Sequence, residues 1–213
     1  SGNDSITLTG AQLDAIVTGA GTINLGAGTD SINLTSTSAD LNTLGATNAS
    51  IQGVEAISAA TAGSGVTIML SGQTEGFTIT GSSGADTITG GSGNDNISAG
   101  AGADVITGGA GVDTLSGGAG NDTFNLANFA AGESIDGGAD ADAIVLTNAT
   151  TVNFTSGTVS NIETLTGSSG NDTITMSATQ WAGFSTINLG SGTNVLNVVA
   201  SGDISAQPTP TNS

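Results

Sequence analysis

Residues 81–125 read GSSGADTITGGSGNDNISAGAGADVITGGAGVDTLSGGAGNDTFN, and their spacing decides the fold. From Gly81 the stretch divides into five consecutive nine-residue units: GSSGADTIT, GGSGNDNIS, AGAGADVIT, GGAGVDTLS and GGAGNDTFN. Each has Gly at its fourth position, Asp at its sixth (Asp86, Asp95, Asp104, Asp113, Asp122) and an apolar residue at its eighth (Ile88, Ile97, Ile106, Leu115, Phe124). Repetition at a fixed period is the first thing to read, because it dictates the architecture. The three residues after each Asp have strand composition, and alternation along a strand points the apolar middle one inward. The glycine-rich residues before them suit a turn that uses backbone angles closed to other residues. Two units then make one coil of strand, turn, strand, turn, which predicts an all-β, right-handed parallel β-solenoid. Two thin sheets would sandwich an Ile/Leu/Phe ladder, with neighbouring strands about 4.8 Å apart. Helices are not expected, apart from a short turn near SADLNTLG at Ser38–Gly45.

Isolated copies of the unit lie outside this run. GGADADAIV spans Gly137–Val145, GSSGNDTIT spans Gly167–Thr175 and LGAGTDSIN spans Leu25–Asn33, while SGNDSIT at the start is a truncated copy. LGSGTNVLN (Leu189–Asn197) has Asn194 where the Asp belongs. Nine acidic residues thus occupy the sixth position, the four outside the central run being Asp4, Asp30, Asp142 and Asp172. A longer repeat is also visible. SGNDSITLTGAQL from Ser1 matches SGNDTITMSATQW from Ser169, each followed by TINLG, and VEAIS at Val54 parallels IETLT at Ile162. The expected organisation is a solenoid module over 1–80 with degenerate repeats, the five-repeat run over 81–125 and a second module over 126–206. Residues 207–213, with QPTPT, read as a linker or frayed tail, since Pro cannot join a sheet ladder.

Composition narrows the chemistry. The 213 residues include 35 Gly and 36% hydrophobic residues, much of the latter Ala, so no thick core of large side chains is expected. There are 14 Asp and 4 Glu but no Lys, Arg or His, and the net charge is −18. No internal ion pair to a basic side chain exists, and self-repulsion opposes compaction. Phosphate contacts rest on Lys and Arg, so nucleic acid is excluded as a partner. No apolar run approaches the ~20 residues that span a bilayer. The absence of Cys removes disulfides and thiolate metal sites, and the absence of His removes Ser/His nucleophile pairs.

In a coil of two units, equivalent positions of alternate units stack. Asp86, Asp104 and Asp122 then form one row, and Asp95 and Asp113 another. Carboxylates at strand spacing repel unless a cation lies between them. A hard cation taking six to eight oxygens from carboxylates and carbonyls fits, which describes calcium better than magnesium with its strict octahedron. Zinc or iron would call for His or Cys. Asp14, Asp40 and Asp203, out of register, read instead as ordinary turn residues.

At these residues the sequence resembles the RTX family, the glycine-rich nonapeptide calcium-binding proteins secreted by Gram-negative bacteria. The resemblance is tight over Gly81–Asn125 and scattered elsewhere. It implies a parallel β-roll with Ca2+ in its turns, and secretion by a type I system followed by folding on extracellular calcium. Each ion would sit between turns one coil apart, bound by two motif carboxylates and by turn carbonyls. Carried over, the carboxylate pairs are Asp86 with Asp104, Asp95 with Asp113, and Asp104 with Asp122. The implied carbonyl donors are Ser82, Gly84, Gly91, Gly93, Ala99, Gly100, Ala101, Gly102, Gly108, Ala110, Gly117 and Ala119. Asp142, Asp172, Asp30 and Asp4 are weaker candidates, because none has a matching Asp two units away in register. Ser82, Ala99, Asp140 and Asn194 depart from the pattern.

The functional reading is a calcium-stabilised, non-enzymatic structural segment of a surface layer, adhesin stalk or fibre, outside the cell and assembling end to end. The rivals are a polysaccharide-acting β-solenoid enzyme with paired carboxylates, or a carbohydrate- or ice-binding face built on outward Thr87, Thr89, Thr107 and Thr114. Trp181 reads as a core or end-capping residue. Glu55 and Glu163, in matching places of the two modules, read as solvent-facing strand residues.

Overall fold

The structure, a computed structural model, describes residues 2–18, 22–37, 51–148, 151–199 and 209–212. Parallel strands stack into a β-solenoid. One sheet has eight strands in the order Ser5–Leu8, Ser31–Leu34, Ala56–Ser58, Thr78–Thr80, Asn96–Ala101, Thr114–Ala119, Ser134–Ala139 and Thr158–Ser160. The facing sheet has seven: Thr67–Met69, Thr87–Thr89, Val105–Thr107, Thr123–Leu126, Ala143–Leu146, Thr164–Thr166 and Thr186–Asn188. Between Ala56 and Leu146 consecutive strands alternate strictly between the two sheets. A third sheet, Thr151–Asn153, Thr173–Ser177 and Val195–Val199, takes over near the C-terminal end. A two-stranded pair, Ile23–Asn24 with Ile51–Gln52, lies near the N-terminal end.

Register places at least one residue of each of these strands in the core or against it. Ile32, Ile57, Ile79, Ile97, Leu115 and Ile135 stack in the first sheet. Ile68, Ile88, Ile106, Phe124, Ile144, Leu165 and Ile187 face them from the second. All of them are at most 1% exposed. Burying such a side chain contributes roughly 1.5–3 kcal/mol, and here the gain repeats once per strand. The solenoid thus gains stability in increments of half a coil.

Coil length is not constant. In the first sheet Ser5 pairs with Ser31, Ser31 with Ala56 and Ala56 with Thr78, each step shorter than the one before. Thr78, Asn96 and Thr114 then follow one another at two units per coil. The steps lengthen again from Thr114 to Ser134 and from Ser134 to Thr158. The extra residues loop out at the turns, so sheets run without a break across residues 80/81 and 125/126.

Among the described residues two α-helices correct the expectation of none: α1 (Gly10–Thr18) and α2 (Ala178–Gly183). Both leave the end of a strand at equivalent places in the long repeat, and both open with a capping box. Thr9 Oγ1 accepts from the Gln12 N–H while Gln12 Oε1 accepts from the Thr9 N–H. Ser177 and Gln180 repeat that exchange. The S/T-x-x-Q signature stood in the sequence as TGAQ and SATQ. Asp14 lies within α1, not in a turn. Trp181, in α2, packs partly buried against the core. Thr211 pairs with Asn188 at the end of the second sheet. The turn expected at Ser38–Gly45 lies outside the described residues, as do Asp40 and Asp203.

The ladder predicts a sharp contrast in the calcium-loaded protein. Ile106→Ala is expected to cost about 3 kcal/mol in denaturant unfolding. Thr87→Ala, on the exposed face one strand away, should stay within about 0.5 kcal/mol.

Candidate metal centre

Each motif Asp sits one residue before a strand, where the ladder of backbone hydrogen bonds must begin. Its backbone carbonyl accepts from the first strand residue one coil on: the Val105 N–H donates to Asp86 O, and the Thr123 N–H donates to Asp104 O, both at 2.8 Å. Its N–H meets the turn, where no carbonyl is in position. The side chain of the residue one coil on takes that role. Asp104 Oδ1 accepts from the Asp86 N–H at 2.7 Å, and Asp122 Oδ1 accepts from the Asp104 N–H at 2.9 Å. Asp113 Oδ1 accepts from the Asp95 N–H at 2.9 Å. A carboxylate at the sixth position is therefore a staple between coils before it is anything else.

The staple runs beyond the two-unit coils. Asp142 Oδ1 accepts from the Asp122 N–H, and Glu163 Oε2 from the Asp142 N–H, each at 2.8 Å. At the N-terminal end Asp30 Oδ1 accepts from the Asp4 N–H at 2.6 Å and Glu55 Oε2 from the Asp30 N–H at 2.7 Å. Asp142, Asp30 and Asp4 thus have stacking partners, reached by steps longer than two units. Glu55 and Glu163 are not merely solvent-facing strand residues, as their spacing had implied; they hold the staple position. Sequence reasoning missed them because neither follows a glycine-rich unit, although the VEAIS/IETLT match marked both.

The second carboxylate oxygen separates the sites into two kinds. In the units beginning at Gly81, Gly90 and Gly167 it meets donors. Ser82 N–H donates to Asp86 Oδ2 at 2.6 Å, Gly91 N–H to Asp95 Oδ2 at 2.8 Å and Ser168 N–H to Asp172 Oδ2 at 2.8 Å. The Ser82 and Ser168 hydroxyls add a further bond to Asp86 and Asp172. Elsewhere the second oxygen is buried without any hydrogen-bond partner: Asp30, Asp104, Asp113, Asp122 and Asp142. These five residues are at most 1% exposed.

Turn conformation accounts for the division. In the units that leave Oδ2 alone, positions two and four have φ between +80° and +154°: Gly26 and Gly28, Gly100 and Gly102, Gly109 and Gly111, Gly118 and Gly120, Gly138 and Asp140. None of the donor-type units has such a φ at these positions. Left-handed angles rotate the peptides, so position two no longer offers its N–H to the carboxylate. Asp140 adopts φ 80° without being glycine, which Asp tolerates better than most residues, and its Oδ2 accepts from the Gly120 N–H at 3.1 Å.

Asn194 shows what the carboxylate faces in a left-handed turn. Gly190 and Gly192 have φ of 72° and 98°. Asn194 Oδ1 accepts from the Asp172 N–H at 2.9 Å, serving as the staple. Its Nδ2 donates to Leu189 O at 2.8 Å and approaches Gly190 O and Ser191 O at 3.4 and 3.2 Å. The carbonyls of positions one to three therefore converge on the second side-chain atom. With an amide there, the turn closes on itself. With a carboxylate, only acceptors meet, and a buried acceptor cluster without a proton donor is costly.

That donor set, carboxylate and carbonyl oxygen in a flexible loop, suits calcium. Among the described residues no three acidic side chains converge, so backbone carbonyls and water would complete any site. Of the residues expected to supply them, Gly100, Ala101, Gly102, Gly108, Ala110, Gly117 and Ala119 belong to left-handed units, as does Ala99 at the first position of its unit. Ser82, Gly84, Gly91 and Gly93 belong to donor-type turns, where N–H groups already serve Asp86 and Asp95. When bound, calcium supplies the positive charge that the chain lacks.

Burial, opposed by the staple hydrogen bond, pushes Asp104 and Asp113 up to about 6 from 3.8, with the neighbouring motif carboxylates adding to the rise. Asp95, Asp122 and Asp142 are raised too, chiefly by burial. A raised folded value means that the folded state holds more protons than the unfolded one. Stability without metal is therefore present at low pH and lost as pH climbs from the ordinary carboxylate range through about 6. Chelated protein should melt at a higher temperature at pH about 5 than at about 7.5; calcium-loaded protein should show the reverse, because protons then compete with the ion. A second expectation concerns Asn194→Asp, which should add one calcium per chain by equilibrium dialysis.

No curated protein is similar enough to the chain to be matched with it. A family match does exist: the RTX calcium-binding nonapeptide repeat, in four copies, over residues 78–106, 89–124 and 159–175. These segments cover less than half of the chain and coincide with the stapled turns around Asp86–Asp122 and Asp172. The chain therefore carries the repeats of the RTX family, whose nonapeptides bind calcium ions.

Proposed function

We propose that this calcium-binding β-solenoid is a structural segment of a secreted bacterial cell-surface or extracellular matrix protein, such as a surface layer, adhesin stalk or fibre. The observation that carries the reading is the continuity of the stapled ladder. The eight-stranded and seven-stranded sheets face each other along one rod, and its acidic side chains point into turns between coils, where they hold the rod together. RTX repeats are typical of proteins exported by type I secretion, and an acceptor-rich chain that needs calcium suits folding after export into a calcium-rich medium. Residues 81–125 would then be the calcium-loaded middle, with 1–80 and 126–206 as flanking modules of the same rod and 207–213 as a connecting tail. No helix among the described residues is long and apolar enough to cross a membrane.

An enzyme would need a carboxylate pair open to substrate. The motif carboxylates from Asp86 to Asp122 are at most 2% exposed, which supports a structural role over polysaccharide cleavage. An ice- or sugar-binding face would need a regular outward row. Thr67, Thr87, Val105 and Thr123 share one outward row, while Met69, Thr89 and Thr107 share another. Both rows are interrupted by apolar residues, which favours ordinary strand composition.

End-to-end association belongs to the same proposal. Val195–Val199 is the last strand of the third sheet among the described residues, and it leaves Val195 45% and Val199 58% exposed. An edge strand with unpaired backbone and exposed apolar groups invites another strand. Circular dichroism should show β structure with calcium and its loss with a chelator. Electron microscopy should show end-to-end assemblies only with calcium. Equal β content in both conditions would contradict the structural role of the ion. Strictly monomeric calcium-loaded protein would contradict association alone.

A further inference from the structure

The left-handed turn Gly108–Val112 has no glycine-rich unit one coil on. There the regular glycine turn is replaced by the loop ANFAAG at positions 127–132, and the step from Thr114 to Ser134 exceeds the two units of the coils before it. Register sets Glu133 in the row of Asp113, at the staple position, although it belongs to no nonapeptide unit. Glu133 is only 4% exposed, and its Oε2 accepts from the Ala130 N–H at 2.7 Å.

Between the turn and the loop lies a cavity of about 260 Å³. Its lining includes Gly108, Gly109 and Ala110 on one side, Asn128 on the other, and Glu133 as the sole ionisable residue. Asp113 Oδ2, buried without a hydrogen-bond partner, lies so close over Gly108 that a Cβ there would collide with it. The carbonyls of units of this conformation converge on that oxygen position, as Asn194 shows in its own turn. The Glu133 carboxylate thus borders a space large enough for an ion and several waters, and the Asp113 carboxylate lies against Gly108 in the wall of that space.

We propose that Glu133 is a calcium ligand outside the repeats, completing with Asp113 and the Gly108–Ala110 carbonyls a two-carboxylate site at the edge of the nonapeptide run. This rests on the reading that the motif carboxylates hold calcium. The two carboxylates carry −2 and balance the ion. Without it, burial and the neighbouring Asp113 push Glu133 up to about 7, opposed by the Ala130 N–H, which is the mark of a buried charge lacking a counter-ion. The site would also fix the 127–132 loop against the turn below it and so join the two-unit coils to the longer ones that follow.

Two measurements on the whole chain test this. Equilibrium dialysis against calcium alone should find one ion fewer per chain in Glu133→Gln than in the wild type, with the β circular dichroism of the calcium-loaded state retained. The second uses wild-type protein labelled with 13C at the Glu carboxyl carbon, and so does not depend on the variant folding. Among the Glu signals, the one assigned to Glu133 should move on calcium saturation. An unchanged stoichiometry in a folded variant, or a Glu133 carboxyl signal that calcium leaves in place, overturns the proposal while sparing the calcium reading of the repeats. Failure of the wild type to bind calcium at all overturns both.

Discussion

The structure depends on one hydrogen bond that recurs from coil to coil. Where each strand begins, the backbone N–H before it has no carbonyl to meet, because the neighbouring coil is still turning. A side-chain oxygen one coil on supplies the acceptor. Asp86, Asp104, Asp122, Asp142 and Glu163 form one such chain of staples, and Asp4, Asp30 and Glu55 form another. Since Asp, Glu and Asn194 all serve, the requirement is for an acceptor at the right reach rather than for a charge. An unpaired buried N–H costs about 1–3 kcal/mol, so a rod built of many coils gains from an acceptor at each such position.

The charge enters through the other carboxylate oxygen, and the glycines decide what it meets. Turns without positive φ, with Ser82, Gly91 or Ser168 at position two, answer it with N–H and hydroxyl donors. Left-handed turns answer with carbonyls. One motif thus yields turns that stand without metal and turns that demand it, within a single rod. The donor-type units frame the left-handed run from Ala99 to Val145 on both sides, at Gly81–Ser98 and Gly167–Thr175. With no Lys, Arg or His in the chain, the carbonyl-facing carboxylates must take a cation from solvent or stay protonated.

Much of this was legible in the sequence. Period nine, the fixed Asp and the single apolar residue per strand pointed to the solenoid, its core ladder and the ion class, because each follows from alternation and stacking. What escaped had a physical reason. Coil length was read as two units throughout, since that is the spacing of the unbroken run; loops that leave the turns lengthen coils without disturbing register, so the partners of Asp142 and Asp30 went unseen. Glu133 was hidden for the same reason. The helices were lost because Thr9 and Ser177 resemble the Thr and Ser of any strand here, and only the Gln three positions later marks the cap. The two turn types were not readable at all from glycine content: GGSG at Gly90 and GGAG at Gly108 differ at a single position, yet only the second has positive φ at positions two and four.

The most direct measurement is the position of bound ions by anomalous scattering from crystals grown in calcium. The account predicts peaks against the second carboxylate oxygens of Asp104, Asp113, Asp122 and Asp142, and none within the turn closed by Asn194. Ions seated at Asp86 and Asp172 with the left-handed turns bare, or at none of these residues, would contradict it.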